Sequence, residues 1–171
     1  SADGSAWALI PPAVSTLPHN ANGSSQKPMN LAYQSVRARA PLRLGLAGGG
    51  TDLSPFSDEY GGVVLNCTID RYAFAFLTPR DDGKLVFRSK DLGLEESFDT
   101  PETCSDSKLL LHAGVYRRIM TEFNGGKMIP MTVTTSVDTP MGSGLGTSSA
   151  LVVALVEVFR RLLDLPLGRY D

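Results

Sequence analysis

The chain has 171 residues, 42% hydrophobic and 20% charged, and sixteen basic against eighteen acidic side chains leave a formal charge of −2. That balance suits a globular domain and speaks against nucleic acid or an anionic membrane as the main partner. A domain of this size buries roughly 70% of its unfolded surface, so it needs neither disulfides nor metal to fold. Its longest apolar run, Ala150 to Val156, is far short of the roughly 18 to 20 residues of a membrane span.

Residues 1–36 differ from the remainder of the chain. They hold four of the eleven prolines, six serines and only two charged side chains, Asp3 and Lys27, with no persistent period. They read as a linker-like or disordered tail, and the folded unit is expected over 37–171. The amino terminus lacks the basic start and compact apolar segment of a secretory signal, so a cytoplasmic protein is expected.

From Val36 to Leu44 the sequence alternates as a half-buried strand does, up to the cluster Gly48-Gly49-Gly50. Leu53 to Tyr60 has helical spacing, ended by Gly61-Gly62. Gly62 to Leu77, rich in Val, Ile, Thr and aromatics, predicts one long strand or two short ones. Asp82-Gly83 predicts a hairpin turn into the strand Lys84 to Arg88. Asp106 to Phe123 reads as a helix with Leu111, Val115 and Ile119 on one face, stopped by Asn124-Gly125-Gly126. Met128 to Val137 alternates again. Thr147 to Leu163 is the clearest helix, mostly buried, with Glu157, Arg160, Arg161 and Asp164 as its charged stripe.

Cys67 and Cys104 form neither a disulfide framework nor a zinc site, and Cys67, within GVVLNCTI, reads as a buried free thiol. His19 and His112 have no second ligand at metal spacing and read as non-catalytic. The sequence has no evident interleaving of basic and aromatic residues on one face, which speaks against an RNA-binding surface.

Two glycine-rich turns carry the chemistry. The stronger signal runs from Asp138 to Ala150, DTPMGSGLGTSSA, between a strand and a buried helix. Glycines let successive N–H groups face a ligand, and the helix start adds unpaired N–H groups and a positive dipole end. Together they make a phosphate cradle. Hydroxyls at Thr147, Ser148 and Ser149 suit phosphate oxygens or magnesium. The P-loop lysine is missing, and Gly142, Gly144 and Gly146 are spaced G-x-G-x-G, unlike the dinucleotide fingerprint. A flexible loop with a Ser-rich helix cap stands as the alternative.

The second turn is PLRLGLAGGGTD, Pro41 to Asp52. Its three adjacent glycines suit close approach of backbone to ligand. Thr51 and Asp52 can hydrogen-bond a hydroxylated ligand, and Arg43 can hold an anion. The alternative is a turn in which Asp52 caps the helix beginning at Leu53.

PMGSGLGTSSA resembles the second signature of the GHMP kinases, named for galactokinase, homoserine kinase, mevalonate kinase and phosphomevalonate kinase, and PLRLGLAGGGTD resembles their first. Galactokinases carry Glu-His before Thr-Asp where Gly49 and Gly50 stand here, which points away from galactose. Both turns, with NCTIDRYAF between them, are most similar to the heptose 7-phosphate kinases of GDP-heptose biosynthesis, with fucokinases next. The resemblance covers Arg37 to Asp171.

That resemblance implies an α+β, ribosomal-protein-like two-layer amino-terminal domain with left-handed crossovers, against the ordinary topology rule. It implies that the carboxy-terminal domain is absent from this chain and supplied in cis or as a second chain. ATP phosphates would be held by Pro140, Gly142, Ser143, Gly144, Leu145, Gly146, Thr147, Ser148 and Ser149. Ser148 would ligate Mg2+, with Thr147 as the second hydroxyl. Arg43 would face the reacting groups as the one residue here with a catalytic role. Arg43, Gly49, Gly50, Thr51 and Asp52 would bind the acceptor over a floor shaped by Gly48 to Gly50.

The implied reaction is ATP- and Mg2+-dependent phosphorylation of a sugar or sugar phosphate, foremost the anomeric hydroxyl of a heptose 7-phosphate. A fucokinase-like enzyme and a truncated, non-catalytic binding module are the alternatives. No Cys, His or Ser triad suggests a phospho-enzyme, so transfer would be direct. The family's aspartate base, acidic magnesium ligand and third glycine-rich signature would lie downstream, so this chain alone is expected to turn over little or no sugar. Asp138 is expected to cap its turn and Asp70 to pair with a nearby basic group.

Overall fold

The computed structural model describes residues 35–99, 101–140 and 142–168. Residues 1–34, with His19 and nearly all of the expected tail, lie outside the described residues. The elements in order are β1 Val36–Ala47, α1 Phe56–Tyr60, β2 Leu65–Pro79, β3 Leu85–Ser89, β4 Leu94–Phe98, a 3-10 turn Pro101–Asp106, α2 Leu110–Phe123, β5 Met131–Val137 and α3 Thr147–Leu162. The strands form one five-stranded sheet in the order β1-β2-β5-β3-β4. The result is an α+β domain of one sheet and one helical layer, as expected.

Alternation in β1 and β2 sends Ala40, Leu42, Ala73, Ala75 and Leu77 to the helical side, where all are buried. The alanines are small because α3 crosses there, packing on β1 and β2 with Ala150 and Ala154 of its own. A shared row of small side chains brings the helix backbone close to the sheet. Leu151, Leu155, Val158 and Phe159 fill the space on either side. The charged stripe forms as expected, with Glu157 accepting from Arg160 at 2.6 Å and Arg161 at 2.7 Å. Asp164 falls beyond it. It takes a left-handed φ of 49° just past the helix end, where Leu165 N–H returns to Arg160 O at 2.9 Å.

The hairpin expected at Asp82-Gly83 does not form. The turn is there, but β5 lies between β2 and β3, antiparallel to the first and parallel to the second. An Arg80–Asp82 ion pair braces the turn, and Arg80 N–H donates to Pro130 O at 3.1 Å, just ahead of β5. A turn signal fixes a reversal of direction; burial of Met131, Val133 and Thr135 on the sheet decides which strand pairs.

Strand β4 has no clear signal in the sequence, because its middle inward position is the charged Glu96. That carboxylate accepts from Ser107 Oγ at 2.5 Å, Lys108 N–H at 3.1 Å and Leu109 N–H at 3.4 Å. It thus anchors the chain entering α2, which begins at Leu110 and not at Asp106. The buried face of α2 is His112, Ala113, Tyr116, Ile119 and Met120, rotated from the expected one, and Leu111 and Val115 are only partly buried. Tyr116 packs edge-on to Phe87 at 5.8 Å and ties down Ile129 through its hydroxyl at 3.0 Å.

Three further expectations fail. Cys67 is exposed, since it sits opposite Leu44 where β1 and β2 run past the helical layer. Asp70 has no ion pair among the described residues; Arg71 donates to its backbone carbonyl at 2.9 Å instead. The sheet face away from the helices does interleave cations and rings, with Arg39 lying 4.5 Å over Tyr72 and Lys90 5.8 Å from Phe76. The strand register assembles that face from β1, β2 and the residue after β3, which a linear reading does not bring together.

His112 is buried and shares a 3.0 Å hydrogen bond with the Thr135 hydroxyl. Burial pushes its pKa below the ordinary value, outweighing the Arg88 backbone and the Glu96 and Asp91 charges that raise it. The unfolded chain takes up this proton near pH 6.5 and the folded chain only at lower pH, so stability is full above about 6.5 and falls as pH drops below it. Urea midpoints at pH 7.5 and 5.5 should differ, lower in acid. His112→Gln should narrow that difference, whereas the paired carboxylate Glu157 acts only at lower pH.

Candidate functional site

The end of β1 and the loop after it are built by one threonine. Thr51 N–H donates to Gly48 O at 3.0 Å; its hydroxyl donates to Gly48 O at 2.7 Å and Val63 O at 3.1 Å and accepts from Val63 N–H at 3.2 Å. The Thr51 hydroxyl, expected to face a ligand, is therefore engaged within the loop. Glycine is required at two positions here: a Cβ at Gly48 would lie 1.9 Å from Val63 O, and one at Gly62 would lie 2.1 Å from Thr51 O. Gly49 differs, with an ordinary φ and nothing within 4 Å of an added Cβ.

Asp52 does not cap a helix. Helix α1 starts only at Phe56, with Pro55 at its N-cap and no side-chain cap. The Asp52 carboxylate has no hydrogen bond or ion pair among the described residues. It lines a cleft instead.

The phosphate-type turn comes after β5. Asp138 does not cap it; its N–H reaches Tyr72 O and its carboxylate accepts from Tyr72 N–H, both at 3.0 Å, extending the β2–β5 ladder by one residue. Gly142, Gly144 and Gly146 then take left-handed φ values of 80°, 71° and 70°. Gly146 precedes α3 with no side-chain cap, and Ala150 N–H to Gly146 O, at 3.0 Å, is the first helical bond. The N–H groups of Thr147, Ser148 and Ser149 thus lack intrahelical partners, the arrangement that receives anions. Ser143, Ser148 and Ser149 are exposed. The Thr147 hydroxyl is enclosed and without a hydrogen-bond partner among the described residues. It is turned into the protein, so Thr147 does not present the second hydroxyl expected of it.

Arg43 joins the two turns. Its N–H donates to Leu145 O at 3.1 Å, and its side chain lies along Gly146, where a Cβ would come within 3.1 Å of Cγ and 3.2 Å of Nε. Its guanidinium has no ion pair among the described residues. An open cleft of about 360 Å3 results, lined by Arg43, Gly45, Gly49, Gly50, Asp52, Leu53, Val64, Asn66, Gly144 and Gly146. That is within the range of small-molecule sites. The fold thus brings Arg43, Gly49, Gly50 and Asp52 of one turn against Gly144 and Gly146 of the other. Pro140, Gly142, Ser143, Leu145, Thr147, Ser148 and Ser149 stand beside the cleft, on the turn and the first helical residues, and do not line it.

Sequence reasoning missed Gly45, Leu53, Val64 and Asn66. Asn66, a polar residue inside the apolar stretch GVVLNCTI, is the one available signal. A depression of about 430 Å3 on the exposed side of α2, around Gly114, Arg117 and Glu122, is larger but contains neither turn. Among the described residues, no group of three or more His, Cys, Asp or Glu is placed to hold a metal.

Known proteins resemble this chain over most of its length. The family pattern described as GHMP kinases N terminal domain matches residues 110–171. D-glycero-alpha-D-manno-heptose 7-phosphate kinase of Campylobacter jejuni is 42% identical over 139 residues, 81% of this chain and 41% of that protein. Galactokinase of Thermotoga neapolitana is 33% identical over 121 residues, 70% of this chain and 31% of that protein. Among solved structures, a D-glycero-D-manno-heptose 1-phosphate kinase from Bacteroides thetaiotaomicron superposes with a TM-score of 0.73 at 41% identity, covering 81% of this chain and 45% of that one. Mevalonate kinase of Methanococcus jannaschii, at 12% identity and a TM-score of 0.65, shares the fold over 79% of this chain and 42% of its own. The chain spans less than half the length of the curated relatives it matches.

The two glycines should separate by substitution. Gly49→Ala should leave stability within about 0.5 kcal/mol of wild type, and Gly48→Ala should cost about 2 kcal/mol or more. Urea denaturation of both variants checks the contrast.

Proposed function

We propose, from the premise that this chain carries the amino-terminal domain of the GHMP kinases, that it forms the nucleotide- and acceptor-facing part of a sugar kinase. The observation that carries the reading is one cleft shared by both turns, lined by Arg43, which packs along Gly146, and by Asp52. ATP phosphates sit at the start of α3 on the N–H groups of Thr147, Ser148 and Ser149. Arg43 neutralises charge on the group in transfer, and Asp52 accepts hydrogen bonds from the sugar. Transfer runs directly from ATP to the acceptor hydroxyl.

Magnesium, when bound, neutralises phosphate charge. The exposed Ser148 hydroxyl fits it as one oxygen ligand, and phosphate oxygens and water complete the shell. The acceptor is a sugar phosphate, foremost a heptose 7-phosphate taken at its anomeric hydroxyl in GDP-heptose synthesis. The 42% identity to a heptose 7-phosphate kinase supports this. Such a reaction belongs in the cytoplasm, where ATP is. Leu44, Leu46, Leu53, Phe56, Tyr60, Val63 and Leu65, all exposed, gather at this end of the domain. They support further polypeptide packing there, in cis or as a second chain. A fucokinase-like acceptor, or binding without turnover, is the second reading. Asp52 is the only carboxylate along the cleft among the described residues, which favours binding without turnover for this chain alone.

Titration calorimetry on the chain separates the roles. Ser148→Ala should weaken Mg2+·ADP about tenfold and leave metal-free ADP unchanged, a loss of one oxygen ligand to the metal. Asp52→Ala should weaken the sugar phosphate about tenfold and spare the nucleotide. If Asp52→Ala changes neither ligand, Asp52 has no part in the acceptor site. Appreciable ADP release by the chain alone with any sugar would contradict the need for further polypeptide.

A further inference from the structure

Asn66 lies opposite Gly45 in the β1–β2 ladder and lines the same cleft as Arg43 and Asp52. Arg43 stands opposite Thr68, two residues along each strand, so Arg43, Gly45 and Asn66 share one face of the pleat. With glycine as its cross-strand partner, the Asn66 side chain is covered by no neighbour at that position of β1. Asn66 is exposed, and its amide has no hydrogen-bond partner among the described residues.

The three polar groups of the cleft differ in what they can read. A carboxylate at neutral pH only accepts, and a guanidinium only donates, whereas a carboxamide does both through adjacent atoms. Two neighbouring hydroxyls on a sugar ring present one donor and one acceptor side by side. An amide matches that pair, and a sugar with one hydroxyl turned away leaves half of the amide unpaired. Such a mismatch discriminates more strongly than a change of apolar shape.

We infer that Asn66 is a specificity-determining residue of the acceptor site, its amide reading two neighbouring ring hydroxyls while Arg43 faces the group in transfer and Asp52 holds a hydroxyl common to many acceptors. This rests on the sugar-kinase reading. The test uses the full chain, wild type, Asn66→Ala and Asn66→Asp, with D-glycero-D-manno-heptose 7-phosphate, galactose and Mg2+·ADP as titrants. Wild type should prefer the heptose phosphate. Both variants should lose about tenfold of that preference, with Mg2+·ADP affinity and melting temperature unchanged. Asn66→Asp keeps the shape but cannot donate, so it should lose as much as Asn66→Ala. A preference unaltered in both variants, or absent from wild type, overturns the inference and leaves the kinase reading standing. If wild type binds neither Mg2+·ADP nor either sugar, the kinase reading fails and the inference falls with it.

Discussion

The contact on which the site depends is that of Arg43 with the turn ahead of α3. One backbone hydrogen bond, Arg43 N–H to Leu145 O at 3.1 Å, ties the end of β1 to a loop far along the chain. The Arg43 side chain then lies along Gly146, its Cγ 3.1 Å from where a Cβ of residue 146 would be. A Cβ at 146 would crowd that side chain, and the left-handed φ of 70° favours glycine there. The same residue ends the turn without a side-chain cap and leaves the first amides of α3 open. A cation and a set of free N–H groups are thereby held side by side.

The sheet makes that contact possible. β5 enters between β2 and β3, so the turn it feeds emerges beside β2, whose partner on the other edge is β1. The alanine row lets α3 lie close across β1 and β2, and its start comes down next to Arg43. Thr51 holds the loop that carries Gly49, Gly50 and Asp52 by pinning Gly48 to Val63. Asp52, which caps no helix, is left facing the cleft.

Much of this is legible in the sequence. Alternation locates β1, β2 and β5, the apolar circumference locates α3, and the two glycine turns mark the cleft. Pairing is not legible: Asp82-Gly83 looks like a hairpin because a turn signal is local, while the choice of β5 as partner is made by burial. β4 is hidden by Glu96, whose inward charge is satisfied only by residues at the entry to α2. Cys67 looks buried because its neighbours are apolar, yet the strands there extend beyond the helices that would cover them. Arg39 over Tyr72, and Asn66 opposite Gly45, depend on register, which no stretch of either strand states by itself.

The most direct test of a shared cleft is an amide NMR titration of the chain with Mg2+·ADP. The resonances of Gly142 to Ser149 should move together with that of Arg43, at one common affinity, while those of Gly114 to Glu122 on α2 stay in place. Movement confined to α2, or movement of the glycine turn with Arg43 unaffected, would contradict the account.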